Sequence, residues 1–173
     1  MKLLLIGPGG SGKSTFAREL GEKLELPLYH LDAYYWKPGW VPTPNEEWDE
    51  FIGELIREPA WIMDGNYART LEMRLKAADV VIFFDLPSWL VVYRVIKRRI
   101  MYHNRTRSDL NEGCPEQLDW DFVKWVWNFR KHKRPQLLEQ LENCGDNVRV
   151  FIVKNGKDKQ NILEELLSLR SFV

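Results

Sequence analysis

The sequence lacks an excess of charge of either sign, because 25 lysines and arginines balance 25 aspartates and glutamates. Domains dedicated to nucleic acids usually carry a clear basic excess, so DNA or RNA is not favoured as the main ligand. The basic residues are nevertheless concentrated in two segments, 94–107 and 124–134, with acidic residues between them. The pattern therefore allows a nucleic-acid contact through the 94–107 segment without favouring it.

Cysteine and long hydrophobic runs are also scarce. Cys114 and Cys144 are too far apart for a metal-ligand pair and too few for a disulfide framework, so we expect reduced thiols and assign Cys114 no role. The apolar run at residues 3–6 is shorter than the roughly 7–15 residues of a signal peptide. No other run approaches the roughly 18 residues needed to span a membrane. These absences predict a cytoplasmic protein with no membrane partner.

Short apolar runs and amphipathic helical patterns alternate along the chain. A length of 173 residues fits one α/β domain spanning 1–173. The apolar runs predict five strands, at 2–6, 28–31, 60–63, 80–84 and 148–153. Helical patterns between them predict right-handed βαβ units and a buried parallel sheet. The excursion at 89–142 is too long for a simple crossover, and we expect it to hold an inserted or mobile part.

Glycine is concentrated directly after the first strand, where residues 7–14 match the pattern G-x-x-x-x-G-K-[ST] in full. Such a loop points several backbone N–H groups at a phosphate, and the following helix adds the positive end of its dipole. Lys13 would bridge the terminal phosphates, and Ser14 would offer its hydroxyl to magnesium. The candidate nucleotide-binding residues are Gly7, Pro8, Gly9, Gly10, Ser11, Gly12, Lys13, Ser14 and Thr15. A glycine-rich turn without a ligand is the weaker alternative, because a buried strand and an amphipathic helix flank the loop.

Aspartates follow three of the predicted strands. Asp32, Asp64 and Asp85 come directly after the second, third and fourth strands. Ligands of open parallel sheets lie beyond the carboxyl ends of the strands, and phosphoryl transfer needs a metal-side carboxylate and often a base. Each aspartate alone could be a turn or cap residue. Three of them at the edge that holds the phosphate loop indicate that at least one is functional.

These motifs together resemble the adenylate-kinase-related P-loop kinases. The likeness rests on the phosphate loop, on His-Leu-Asp at 30–32, and on residues 61–70, which read Trp-Ile-Met-Asp-Gly-Asn-Tyr-Ala-Arg-Thr. Within that group the chain is most similar to the bacterial DNA topology modulation proteins, through residues 64–67, 113–116 and 125–127. The likeness extends to about residue 142. It implies a P-loop fold that uses ATP and Mg²⁺, and the family name reflects a regulatory phenotype and defines no reaction.

The resemblance assigns roles on the donor side of the site. Asp64 is implied as the metal-side carboxylate, acting through water, and ranks above Asp85. Arg94 and Arg98 stand one helical turn apart, hence on one helix face. The likeness gives Arg94 to the nucleotide base or phosphates and Arg98 to the phosphates. A solvated basic face is the alternative, because other basic residues adjoin both arginines.

The resemblance is less complete on the acceptor side. Related kinases carry D-G-F-P-R-T where this chain reads D-G-N-Y-A-R-T, with one residue more. Gly65, Asn66, Tyr67 and Arg69 are implied to face the acceptor, with Arg69 meeting its phosphate or another anionic group. Because the segment departs from the pattern, it does not imply AMP.

Arginines of the excursion are candidates for closing onto the transferred phosphoryl group, where they would neutralise developing charge and exclude water. We expect this lid or insert at about 99–134. Arg107 lies in a polar loop, and Arg134 precedes Pro135, which we expect to kink or break a helix predicted at 119–141. A solvated face explains either arginine equally well.

An aromatic, proline-rich loop is predicted at 32–44. Tyr35, Trp36 and Trp40 closely follow Asp32 and could stack on the base or sugar of an acceptor. They could equally cover the core. His30 is interpreted as a structural histidine.

We therefore predict a three-layer P-loop NTPase fold with five parallel strands in the order 2-3-1-4-5 and a helical lid excursion. The predicted reaction transfers the γ-phosphoryl group of ATP, with Mg²⁺, to a small acceptor such as a nucleoside or nucleotide, by a monomer or homodimer. Lys13, Asp32 and Arg98 would act directly, Asp32 as holder or base of an acceptor hydroxyl. Two alternatives stay open, a nucleotide-dependent regulatory or DNA-binding protein and a plain NTPase.

Overall fold

The alternating pattern of the sequence folds into helices around a parallel sheet in the computed structural model, which describes residues 1–101, 113–114, 119–145 and 147–170. The strands are β1 (Lys2–Ile6), β2 (Leu28–His30), β3 (Trp36–Lys37), β4 (Val41–Pro42), β5 (Trp61–Asp64), β6 (Val80–Phe84) and β7 (Arg149–Val153). The helices are α1 (Lys13–Leu24), α2 (Leu31–Tyr35), α3 (Asn45–Leu55), α4 (Leu71–Ala77), α5 (Ser88–Met101), α6 (Trp120–His132), α7 (Arg134–Glu142) and α8 (Gly156–Arg170). A short 3-10 helix at Ala68–Thr70 precedes α4.

Five strands form the central sheet in the order β2-β5-β1-β6-β7, with parallel pairing throughout. Counted along the chain, these five strands have the order 2-3-1-4-5, so the predicted α/β fold and strand order are confirmed. Leu3 of β1 pairs with Ile62 on one side and Val80 on the other. Because β1 is central, the loop that follows it lies at the middle of the sheet's carboxyl edge.

Helices cover both faces of the sheet. Leu4 and Ile6 of β1 join a buried cluster with residues of α3, α4, α6 and α7. Leu3 and Leu5 point to the opposite face and join a second cluster with residues of α1 and α8. Successive side chains of a strand alternate between faces, so strands buried on both faces appear as continuous apolar runs. None of the described helices is long and apolar enough to cross a membrane.

The segment after β2 is more regular than the predicted loop at 32–44. It begins with α2 and continues into an antiparallel hairpin in which Trp36 lies opposite Pro42. Thr43 fixes the end of the hairpin, because its Oγ1 and its backbone N–H both donate to the carbonyl of Tyr35, each at 2.8 Å. Strands of two residues are too short to show an alternating pattern in the sequence.

The excursion between β6 and β7 contains helices that pack on each other. α5 and α6 meet through a third apolar cluster that includes Val91 and Val126. α6 ends at His132, and α7 begins at Arg134 with proline in its first turn, where a missing N–H needs no partner. The predicted break at Pro135 is confirmed. Much of the predicted lid, residues 102–112 and 115–118, lies outside the described residues.

Candidate active site

A cavity of about 980 Å³ opens at the carboxyl edge of the sheet, where parallel α/β sheets bind their ligands. It extends from the phosphate loop and the end of β5 to residues of α6 and α7. Ligand pockets for single small molecules range from about 300 to 1,000 Å³. The cavity is therefore large enough for a nucleotide and a second small molecule.

The phosphate loop occupies one end of this cavity. Gly7 turns the chain away from β1 at a φ of 142°, and a Cβ there would lie 2.8 Å from Cβ and O of Phe84. The side chain of Ser11 is fully buried, and its Oγ has no hydrogen-bond partner among the described residues. α1 begins at Lys13 without a side-chain cap, so its first N–H groups are available to an anion.

Lys13 and Asn66 hold the loop in shape. Nζ of Lys13 donates to the carbonyl of Pro8 at 3.1 Å, within the loop itself. Oδ1 of Asn66 accepts from the N–H of Gly7 at 2.8 Å, and its Nδ2 donates back to the carbonyl of Gly7. Asn66 was expected on the acceptor side. The structure places it in the cavity wall with its amide bound to the first residue of the phosphate loop.

Asp64 lies beside the loop at the end of β5 and is only 5% exposed. Burial raises the pKa of this carboxyl, but hydrogen bonds from His30 and Ser14 and the charge of Lys13 outweigh burial, so its pKa lies below the ordinary value. Nδ1 of His30 is 3.1 Å from Oδ2, whereas the buried Oδ1 has no partner among the described residues. The ring of His30 therefore positions Asp64.

A divalent cation fits this donor set. Mg²⁺ keeps several waters and usually takes one or two carboxylates together with phosphate oxygens. Asp64 provides an oxygen that is unpaired within the described part of the chain, and Ser14 provides a hydroxyl that also lines the cavity. The described residues hold no cluster of three or more His, Cys, Asp or Glu, so they lack a cage built from protein ligands alone.

Asp32 and Tyr67 line a second part of the cavity. The hydroxyl of Tyr67 donates to Oδ1 of Asp32 at 2.6 Å. Burial raises the pKa of Tyr67 well above its ordinary value, and the charge of Asp32 and this hydrogen bond raise it further. The phenol therefore stays protonated and remains a donor to the carboxylate. Trp36 and Gly65 also line this part of the cavity.

Tyr35 and Trp40 support this end from behind. Of the described residues, neither lines the cavity. Tyr35 packs in the core between Tyr67, at 4.5 Å between ring centroids, and Trp48, at 5.1 Å. Trp40 packs edge-on against Trp36 with centroids 5.6 Å apart. Both aromatics position rings that do line the cavity.

Arg74 is a site residue that the sequence reasoning missed. Its side chain is fully buried and donates to the backbone carbonyls of Gly65 at 2.8 Å, Tyr67 at 2.7 Å and Thr70 at 3.3 Å. Burial lowers its pKa to about 10, which still leaves the guanidinium charged at neutral pH. Arg74 thus clamps the loop that carries Asn66 and Tyr67. A basic residue in a short amphipathic helix gave no signal of this role.

Further basic residues lie near the phosphate loop. Arg94 and Arg98 both line the cavity, and Nη1 of Arg94 donates to the carbonyl of Ser11 at 3.3 Å. Lys159 of α8 was not predicted, and its Nζ lies 3.3 Å from the position that a Cβ on Gly12 would take. Burial and the charge of Arg94 lower the pKa of Lys159.

Two predicted arginines are held elsewhere, and a third is not described. Of the described residues, neither Arg69 nor Arg134 lines the cavity. Arg69 pairs with Asp49 on the exposed surface, at 2.6 Å between Nη2 and Oδ2. Arg134 makes two hydrogen bonds of 2.9 Å to the buried carboxylate of Asp85. These bonds raise the pKa of Arg134. Arg107 lies outside the described residues.

Two solved structures share this fold over almost the whole chain. The shikimate kinase of Bacteroides thetaiotaomicron matches with a TM-score of 0.57 and 15% sequence identity, over 99% of this chain and 98% of that one. An uncharacterized protein from Eubacterium ventriosum matches with a TM-score of 0.50 and 19% identity, over 100% and 99% of the two chains. No protein-family model and no curated protein matches the chain.

The parallel sheet, the loop at its centre and these similarities define a P-loop kinase-like fold. The similarity is to the fold of the two proteins, since fewer than one residue in five is identical. The chemistry of the site therefore has to be argued from the residues of this chain.

Proposed function

We propose that the protein transfers the γ-phosphoryl group of ATP, with Mg²⁺, to a small-molecule acceptor. The observation that carries the proposal is one continuous cavity that joins the phosphate loop and Asp64 to Asp32 and Tyr67. A plain NTPase needs only the first of these two ends. We also propose the narrower resemblance to the bacterial DNA topology modulation proteins. The name of that family does not define a reaction, so the resemblance does not change the proposed chemistry.

The donor end supplies charge and backbone N–H groups for the triphosphate. Lys13 would exchange the carbonyl of Pro8 for the terminal phosphates, and the first turn of α1 would face them with its N–H groups. Arg94 and Arg98 would neutralise the charge that develops on the transferred group.

Asp64 and Ser14 are the residues that would hold Mg²⁺, Asp64 through a water molecule. Bound there, the ion would offset the negative charge of the phosphates. The support for this assignment is the buried Oδ1 of Asp64 beside the phosphate loop, which no described residue contacts by a hydrogen bond.

At the acceptor end, Asp32 would orient a hydroxyl group and take its proton during the attack on the γ-phosphorus. Tyr67 holds this carboxylate in place. A catalytic role for Arg134 requires its guanidinium to leave Asp85, because both of its hydrogen bonds to that carboxylate would be lost.

Transfer from Mg-ATP to nucleosides, nucleoside monophosphates, sugars and sugar acids tests the proposal. We expect one acceptor to be phosphorylated at a rate of roughly 1–100 s⁻¹ and the Lys13→Ala variant to lose that transfer. Tight ATP binding without transfer to any of these compounds contradicts the proposal. Hydrolysis that no acceptor changes identifies a plain NTPase instead.

A further inference from the structure

We propose that the acceptor is an uncharged hydroxyl compound with a flat aromatic ring, a nucleoside being the test case. The inference rests on the proposed phosphoryl transfer and names the acceptor class. Three features of the cavity carry it: an aromatic row on α6, a carboxylate already placed for a hydroxyl, and arginines whose charges are already engaged elsewhere.

The aromatic row consists of Phe122, Trp125 and Phe129, which share one face of α6 and line the cavity. Phe122 and Trp125 are nearly parallel, with centroids 5.9 Å apart and 17° between their planes, and Trp125 meets Phe129 edge-on at 5.4 Å. The ring of Phe122 lies against the phosphate loop, since a Cβ on Gly9 would be 2.5 Å from its Cζ. The row therefore runs from the phosphate loop towards the cavity's far wall.

Trp125 is the member of the row best placed to stack on a ligand. It is 36% exposed, so part of its ring is open to the cavity, whereas Phe129 is 3% exposed and belongs to the core. Stacking of a base on an aromatic side chain contributes about 1–3 kcal/mol and works for any flat ring. A sugar without a base offers no such face.

Asp32 favours a neutral hydroxyl over a phosphate. Its carboxylate accepts the Tyr67 hydroxyl and lines the cavity. A hydroxyl can donate to this carboxylate, whereas a phosphate group would bring a second negative charge within a few ångströms of it. During transfer the γ-phosphate of ATP also approaches this carboxylate, so the phosphate of an acceptor would add to a repulsion that is already present.

Three arginines close in sequence to cavity-lining residues already have other partners. Arg69 is paired with Asp49, Arg74 with three backbone carbonyls, and Arg134 with Asp85. α7 and the residue before it instead offer mixed groups to the cavity, and the lining residues are Lys133, Gln136, Leu137, Glu139 and Gln140. Glutamine amides donate and accept hydrogen bonds, which suits the edge of an uncharged heterocycle better than a phosphate.

The step balances as a substitution at phosphorus. The acceptor oxygen forms a bond to the γ-phosphorus, the bond from that phosphorus to the β–γ bridging oxygen breaks, and ADP leaves. The proton of the acceptor hydroxyl passes to the carboxylate of Asp32.

A matched panel of acceptors tests the inference. Adenosine, cytidine and their deoxy forms are compared with the corresponding 5′-monophosphates, with ribose and with pyridoxine, an aromatic alcohol without a sugar. Transfer from Mg-ATP is measured as kcat/KM, and binding is measured by tryptophan fluorescence in the presence of Mg²⁺ and a non-hydrolysable ATP analogue. We expect at least one nucleoside to exceed its monophosphate and ribose by tenfold or more in both readouts. A preference for pyridoxine also supports an uncharged aromatic alcohol as the acceptor and shows that its ring is not a nucleobase.

Two tryptophans on α6 supply matched variants. Trp125→Leu should lower kcat/KM for the nucleoside by roughly 5–100-fold, as expected for a lost stacking contact. Trp127→Leu should leave it unchanged, because Trp127 is 56% exposed and is not among the described cavity-lining residues. Circular dichroism of both variants checks that the helix is retained.

The outcomes separate this inference from the proposed function. Preferred transfer to a monophosphate or to ribose overturns the acceptor class while the kinase assignment stands. Nucleoside binding that depends on Trp125, without any transfer, overturns the kinase assignment while the ligand class stands. If neither a nucleoside nor pyridoxine is bound or phosphorylated, the proposed acceptor class is wrong. An equal decrease of kcat/KM in Trp125→Leu and Trp127→Leu also contradicts it.

Discussion

At the scale of single residues, Asp64 has an environment that surface carboxylates lack. Its Oδ2 is held by His30 at 3.1 Å, and its Oδ1 is buried without a partner among the described residues. A buried polar atom left without a hydrogen bond costs about 1–3 kcal/mol, and more when it is charged. A water bound to a cation would satisfy that oxygen, as the proposed metal role of Asp64 requires.

Replacement of Asp64 by asparagine should weaken the effect of Mg²⁺ on ATP binding. We expect the wild-type protein to bind ATP more tightly with Mg²⁺ than without it, and Asp64→Asn to lose roughly tenfold of that enhancement, about 1.4 kcal/mol. Isothermal titration with and without Mg²⁺ measures both numbers. Asp49→Asn is the control, because Asp49 is paired with Arg69 away from the cavity. An enhancement that survives in Asp64→Asn contradicts the assignment.

The lowered pKa of Asp64 also predicts a pH dependence of stability. A carboxyl whose pKa is lower in the folded state stabilises the protein above its unfolded-state pKa of about 3.8 and loses that contribution as the pH falls through the folded-state value. We expect the difference in unfolding free energy between wild type and Asp64→Asn to shrink as the pH falls below 3.8. Urea unfolding across this range measures it. A difference that grows towards acid would mean that the pKa is raised.

Some residues of the site could be predicted from the sequence and others could not. The phosphate loop is recognisable because its function requires fixed spacing within eight residues, and Asp64 because it ends a buried strand. Asn66 is different, since its partner Gly7 lies 59 residues away and only the pairing of β1 with β5 brings them together. Arg74 resembles any basic helix residue until its burial is seen.

At the scale of elements, the turn from β5 to α4 is the part that links the two ends of the cavity. Its residues Asn66 and Tyr67 bind the phosphate loop and Asp32, respectively. Arg74 holds the turn from within α4 through three carbonyls. This buried guanidinium bonds to three backbone carbonyls at once, which makes the turn dependent on one side chain.

Arg74→Met and Arg69→Met form a matched pair that tests this clamp. Arg74→Met leaves three carbonyls without their donor, so we expect a loss of about 2–4 kcal/mol in unfolding free energy. We also expect it to reduce kcat for transfer more than it weakens ATP binding. Arg69→Met removes an exposed ion pair, for which about 0–1 kcal/mol is typical. Chemical denaturation compares the two, and equal losses would rule out a special role for Arg74.

Helices and strands could be predicted where they are buried or where a residue such as proline marks their boundary. The strands of the sheet carry continuous apolar runs, and Pro135 marks the break between α6 and α7. α2 and the hairpin at Trp36–Lys37 and Val41–Pro42 were not predicted, because five-residue and two-residue elements carry too few positions for a periodic pattern. They depend on contacts such as those of Thr43 with Tyr35.

At the scale of the whole molecule, a ligand in the cavity would contact elements from distant parts of the chain. The lining of the cavity includes residues of α1, α2, the end of β5, α5, α6 and α7. A ligand that bridges these elements binds the folded state alone and should therefore stabilise it. The zero net charge does not favour a nucleic acid as the ligand, because nucleic-acid-binding domains usually carry a basic excess.

Mg-ATP should accordingly raise the melting temperature. At a concentration one hundred times its dissociation constant, a ligand adds about 2.7 kcal/mol of stability, which corresponds to roughly 5–10 °C for a chain of this size. Differential scanning fluorimetry measures the shift. Lys13→Ala should show little of it at the same concentration, and a full shift in that variant would place the nucleotide elsewhere.

The most direct test of the account is ³¹P NMR of the protein with Mg-ATP and each compound of the acceptor panel. The account predicts that the γ-phosphorus resonance is replaced by a phosphate-ester resonance and by those of ADP, only when an acceptor is present. It also predicts that Asp32→Asn abolishes the ester while Mg-ATP still binds. Inorganic phosphate as the only new product, at a rate that no acceptor changes, would contradict the assignment of this protein as a kinase.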